Sequence, residues 1–142
     1  MSALPPTSKG RRVFVAHPFT PQGESVVQDI IQPALAACGL EPSTFSMTDD
    51  GKLIQGLTAR IEQSSGVIGV SLGHRVNVFI EMGIALALRK KCIMLSDHPD
   101  GFGMLRSCIP TLVLGDRDTS IVQLRSLLDA QLALSSAVSN WR

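Results

Sequence analysis

GVIGVSLGHRVNVFIEMGIALALRKKCIMLS, running from Gly66 to Ser96, decides the fold. Its first part, Gly66 to Leu72, is a short apolar run of the kind that forms a strand covered on both faces. Asn77 to Leu88 is too long for a strand, almost wholly apolar, and reads as a helix; its one charged residue is Glu81. Lys91 to Ser96 is a second buried strand. A strand, a helix and a second strand joined this closely form a parallel crossover unit.

The same alternation continues in both directions. Arg12 to Ala16 has strand propensity and stops at His17-Pro18, and Pro21, Gln22 and Gly23 extend the loop. From Glu24, apolar residues at Val26, Val27, Ile30, Ile31 and Leu35 predict a helix that Cys38-Gly39 ends and Pro33 kinks. A short strand near Ser43 to Ser46 follows, then the polar loop Met47 to Gly51. Leu53, Ile54, Leu57 and Ile61 stripe the next helix. Beyond Ser96 come a loop at Asp97 to Gly103, a helical turn at Met104 to Cys108 and a strand at Thr111 to Leu114. Ile121, Leu124, Leu127, Leu128 and Leu132 mark a closing helix. Five alternations predict an α/β fold: a five-stranded parallel sheet of flavodoxin-like or Rossmann-like type, order 2-1-3-4-5, with helices on both faces. Residues 1–10 read as a flexible lead-in and 11–142 as one domain.

Composition narrows the function classes. Of the 142 residues 44% are apolar and 18% charged, which suits a packed domain rather than a disordered chain. The net charge of +1 and the shortness of the basic runs Lys9 to Arg12 and Arg89 to Lys91 argue against a nucleic-acid polymer as partner. The N-terminus lacks the apolar run of a secretory signal, and Val76 to Leu88 is too short for a membrane span. Cys38, Cys92 and Cys108 are scattered in apolar surroundings and are expected as buried thiols, which favours a reducing cytoplasm. Three separated histidines carry no metal signal, so neither metal nor cofactor is expected.

Ligands of such sheets bind beyond the carboxyl ends of the strands, where strand order reverses. The loops there hold the candidates. Asn77 is placed to cap the helix after the third strand, which puts Glu81 about one turn in, facing back to the rim among Val78, Met82 and Ala85. Burial among such neighbours raises a carboxyl pKa. The alternative is a solvated helix-edge residue paired with Arg75. Gly83 and Ala87 are expected to form a small-residue edge for close approach to the sheet. The loop His17 to Ser25 can offer backbone N–H groups and a helix N-terminus to a phosphate, or merely turn the chain. His17 either binds substrate or caps the strand end. His74 and Arg75, in the loop of Gly73, either contact phosphate or a neighbouring subunit or are solvated. Phe19 and Phe102 are candidates for stacking on a base, or core.

The segment Ser65 to Leu95, with its Asn77-Val-Phe-Ile-Glu-Met-Gly-Ile-Ala-Leu-Ala-Leu-Arg-Lys90 core, resembles the nucleoside 2-deoxyribosyltransferase-like superfamily. That group includes deoxynucleotide N-hydrolases and is related to TIR-like nucleotide-binding proteins. Val13-Phe-Val-Ala-His-Pro-Phe19 matches the family's first strand and turn, and the resemblance spans most of residues 12–115. It implies cleavage or transfer at the N-glycosidic bond of a nucleoside or nucleotide, with Glu81 as nucleophile. Asp50 is then the candidate catalytic acid and Asp49 a substrate contact. His17, Pro18, Phe19, Ser71, Gly73, His74, Asn77, Asp97 and His98 complete the implied binding set. One position departs from the pattern: many relatives have an Asp at the end of the third strand, where Val70-Ser71-Leu72 leaves Ser71 as the polar side chain. Tyrosine, used by some relatives near the substrate, is absent. The resemblance also implies a homodimer or higher oligomer, to which the closing helix with Ala133, Leu134, Ala137 and Val138 could contribute. Two other readings stay open: a TIR-like NAD-consuming defence effector, and a non-catalytic nucleotide-binding or signal-sensing module.

Overall fold

The computed structural model describes residues 11–45, 53–73, 76–99 and 107–133. Five strands form one parallel sheet: β1 (Arg12–Ala16), β2 (Glu41–Ser43), β3 (Gly66–Ser71), β4 (Lys91–Ser96) and β5 (Thr111–Val113). Their order is β2-β1-β3-β4-β5, the flavodoxin-like order expected for a fold of this size. In register, Ala16 lies beside Gly69 and Ser71 beside Ser96, so these strands end along one rim. β2 is shorter and earlier than expected and stops at Ser43.

The helices divide between the two faces. Helix α1 runs as Pro21–Val26, a π turn at Val27–Ile31, and Gln32–Ala37. It packs with α4 (Arg117–Leu128, continued by a π turn at Asp129–Ala133) over Val13, Val15, Ile68, Val70, Ile93 and Leu95. Helices α2 (Leu53–Glu62) and α3 (Val76–Ala87) cover the other face, over Phe14, Ala16, Val67, Cys92 and Met94. Alternate residues of the central strands thus enter opposite cores, which is why these strands are apolar without a break. Ile54 does not join the stripe of α2; it is 55% exposed. Of the thiols, Cys92 is buried and Cys38 half-buried, whereas Cys108 is exposed, against expectation.

Helix α1 begins earlier than its apolar spacing suggests. Thr20 is the N-cap, its Oγ1 accepting from the Gly23 N–H at 3.1 Å, and Pro21 follows it. Proline suits a first helical turn, where its missing N–H has no partner to lose. Pro33 produces a π turn rather than a sharp kink. It has no N–H for an i→i−4 bond and its ring would collide with that carbonyl. The turn before it widens, and the Gln32 N–H donates to the Val27 carbonyl five residues back.

Helices α1 and α3 end in the same way with different residues. After α1, Leu40 N–H donates to Leu35 O and Gly39 N–H to Ala36 O, with Gly39 at φ 72°. After α3, Lys90 N–H donates to Ala85 O and Arg89 N–H to Leu86 O, with Arg89 at φ 59°. Both are Schellman caps, and the second puts a side chain in the left-handed region that favours glycine. Arg89→Gly is therefore expected to raise stability by about 0.5–1 kcal/mol, read as a shift in the urea midpoint without a change of slope.

Candidate active site

Glu81 is placed by the packing of α3. The helix follows β3, so its N-terminus lies at the carboxyl rim, and helical side chains tilt back toward the N-terminus. Val78, Met82 and Ala85 hold the same side of the helix against the sheet and are 1%, 0% and 0% exposed. Close approach comes from the strand: a Cβ on Gly69 would lie 2.5 Å from the Met82 Sδ. The expected small-residue edge of Gly83 and Ala87 is not the packed one. Both are exposed, and nothing lies within 4 Å of a Cβ built on Gly83. Because α3 is apolar on nearly every side, sequence alone does not say which side meets the sheet.

Glu81 itself is 8% exposed. Burial pushes its carboxyl up from 4.5 to about 7. Its Oε1 is fully buried and has no hydrogen-bond partner among the described residues, and the same is true of the Asn77 Nδ2. Asn77 lies inside α3, which opens at Val76, and not ahead of the helix as a cap. Near neutral pH a carboxyl of this kind is present both as acid and as carboxylate, and can serve as proton donor or as nucleophile.

The loop after β1 adds His17, 5% exposed, with Nδ1 2.9 Å from the Pro18 carbonyl. A carbonyl only accepts, so Nδ1 carries the proton of this bond, and in the neutral ring Nε2 keeps its lone pair. Phe19 packs edge-on against the His17 ring, centroids 5.2 Å apart, yet is 57% exposed: it belongs to the surface of the rim and not to the core. Pro18 is buried beneath α1, where a Cβ on Gly23 would fall 2.1 Å from its carbonyl oxygen. Gly23 is thus what lets the rim loop lie on the first turn of α1. Gly23→Ala is expected to cost about 1–3 kcal/mol by forcing loop and helix apart, measurable by denaturant unfolding.

At the other strand ends, Ser71 is buried and its Oγ is 3.4 Å from the Gly73 carbonyl; Gly73 is exposed with φ 74°. Ser96, fully buried, was not among the residues expected at the site. Its hydroxyl donates to the His98 carbonyl at 2.8 Å and accepts from the His98 N–H at 3.1 Å. Seryl hydroxyls commonly close such local turns, and this one fixes the path of Asp97 and His98, both exposed. His17, Pro18 and Phe19 thus follow the carboxyl end of β1, Ser71 and Gly73 lie at or just after that of β3, Asp97 and His98 follow that of β4, and Asn77 and Glu81 lie in the first half of α3. Asp49, Asp50, His74, Arg75 and Phe102 lie outside the described residues, as do Leu134, Ala137 and Val138. A groove elsewhere, between β5 and α4, is lined among the described residues by Thr111, Leu112, Val113, Gln123, Ser126 and Leu127, none of them titratable. No helix among the described residues is long and apolar enough to cross a membrane.

No family model and no curated protein matches the chain. Solved structures do. A 2-deoxyribosyltransferase from Bacillus psychrosaccharolyticus superposes with a TM-score of 0.61 at 11% identity, over 78% of this chain and 90% of that one. The Clostridium botulinum CMP N-glycosidase BcmB superposes with a TM-score of 0.62 at 20% identity, over 80% of this chain and 97% of that one. The resemblance read from Ser65 to Leu95 is met by the architecture: this chain has the fold shared by that 2-deoxyribosyltransferase and that CMP N-glycosidase.

Proposed function

We propose that the protein cleaves or transfers at the N-glycosidic bond of a nucleoside or nucleotide, with Glu81 as the nucleophile. The observation that carries this reading is a nearly buried carboxyl at the ligand-binding rim, its pKa raised to about 7 by burial and its Oε1 without a partner among the described residues. A carboxyl so placed has no evident structural use, since an unpaired buried polar atom weakens a fold. Two neighbours in fold act on such bonds by name, which supports the same chemistry here.

In the proposed step, one oxygen of the Glu81 carboxylate bonds to C1′ of the sugar. The bond from C1′ to the base nitrogen breaks, and its electron pair leaves with the base. A proton delivered to the base completes its departure, and Asp50 is the candidate donor, with Asp49 a substrate contact. Water or a second base then attacks C1′ and frees the Glu81 carboxylate, giving hydrolysis or exchange. The rim residues His17, Phe19 and Ser71 are candidate contacts for base and sugar. Ile80, Gly83 and Ala87 leave an apolar outer face on α3 that suits association with a second copy, so a homo-oligomer belongs to the same proposal.

The test is a panel of nucleosides, nucleoside monophosphates and NAD, assayed for free base with wild-type protein and with Glu81→Gln. Base release that depends on Glu81 supports the reading. Release of nicotinamide alone would point to the NAD-consuming alternative, and binding with no turnover to the non-catalytic one.

A further inference from the structure

Among the described residues, Asn77 Nδ2 and Glu81 Oε1 are the buried side-chain polar atoms without a hydrogen-bond partner, and they are complementary: the first only donates a hydrogen bond, the second accepts one. They stand four residues apart in the first half of α3, hence on adjoining turns of one helix face, where side chains tilt toward the helix N-terminus. They are not bonded to each other. A ligand group that satisfies both must accept from the amide and donate to the carboxylate. A hydroxyl does this, whereas a phosphate oxygen or a base carbonyl only accepts and an ammonium only donates. Water has the same two capacities, and a ligand hydroxyl would take its place.

Stereochemistry says which hydroxyl. A nucleophile attacks C1′ from the face of the sugar opposite the base. In ribose the 2′-hydroxyl lies on that face, one carbon from C1′. A carboxylate with one oxygen aligned on C1′ therefore carries its other oxygen beside O2′. We infer that Asn77 and Glu81 together read the 2′-hydroxyl, and that the substrate is a ribonucleoside or ribonucleotide rather than its 2′-deoxy counterpart. This rests on the reading of Glu81 as the nucleophile. A 2′-deoxyribose leaves both atoms unsatisfied, and an arabinose turns its hydroxyl to the face of the base. The hydrogen bond from O2′ to the carboxylate strengthens as positive charge develops at C1′, so the discrimination appears in the rate as well as in binding. Asn77 is a specificity-determining residue in this account.

The experiment compares the ribo, 2′-deoxyribo and arabino forms of the nucleoside 5′-monophosphates of the four common bases. For any base released, kcat/KM for the ribo form is expected to exceed both others by roughly tenfold or more, the effect of losing hydrogen bonds to a charged group. Asn77→Ala is expected to shrink that ratio by about tenfold; a merely structural role would slow all three sugars alike and leave the ratio standing. Deoxy or arabino forms cleaved as well as ribo would overturn the inference while leaving the N-glycosidic reading intact, as would an unchanged ratio in the variant. If no compound releases base, the N-glycosidic reading fails and the inference falls with it.

Discussion

Glu81→Gln is expected to lower base release by about a thousandfold or more while leaving the protein folded. Glutamine has the size and shape of glutamate but no oxygen able to bond to C1′ and later depart from it. The fold tolerates the change because the site already holds the neutral acid for part of the time near pH 7, so no ionic partner is lost. A catalytic explanation and an unfolding explanation then give opposite results, since the variant should unfold at a denaturant concentration no lower than wild type. The pH profile supplies a second arm. Attack needs the carboxylate, so kcat/KM is expected to rise with pH through about 7 and to level off above it, in step with the raised pKa. Mass spectrometry of protein quenched during turnover should show a glycosyl adduct at Glu81 in wild type and none in the variant. A variant that releases base at the wild-type rate removes Glu81 from the mechanism.

Much of this was legible in the sequence, for reasons that can be named. The parallel, doubly covered sheet follows from unbroken apolar runs, which strands covered on both faces require; Gly66–Ser71 and Lys91–Ser96 are such runs and are buried almost throughout, whereas the strand order is expected only as the commonest one for a fold of this size. Glu81 stands out in the sequence as the one carboxylate of an apolar helix; that its side of the helix, with Val78, Met82 and Ala85, meets the sheet is decided by packing. The start of α1 has its own local signal, Thr20 followed by Pro21 as N-cap and first-turn pair, but Gly23 and the apolar spacing that begins at Val26 point to Glu24 instead. Asparagine favours the cap position, which is why Asn77 is expected there, yet the chain is already helical at Val76. Two features had no local signal. The fit of Met82 over Gly69 joins residues from different elements, and the pairing of Ser96 with His98 depends on where the strand stops. Contacts of that kind exist only once the sheet is assembled.

The buried carboxyl also has a thermodynamic cost whose sign and pH window are testable. Glu81 has its ordinary value of 4.5 in the unfolded chain and about 7 in the folded one, so between these values the native state holds more of the proton. Stability then falls as pH rises, because its slope follows the protons bound by the unfolded state minus those bound by the native state. The relative advantage of the folded form is complete below about 4.5, declines from there to about 7, and is gone above it. At 1.36 kcal/mol per pKa unit the full loss is about 3 kcal/mol, a large share of what holds a domain of this size together. Glu81→Gln cannot ionise and does not follow this curve. Urea unfolding of both proteins from pH 4 to pH 9, taken as a difference, cancels the titration of every other group. The variant is expected to gain on wild type by about 3 kcal/mol between pH 4.5 and 8, with parallel behaviour below and above. A difference that stays constant across that range would mean that Glu81 ionises freely in the folded protein and is not held in an apolar site. A carboxyl whose burial weakens the protein at neutral pH, and which glutamine would relieve, is hard to account for as a structural residue; its retention is the stability cost expected of a reactive group.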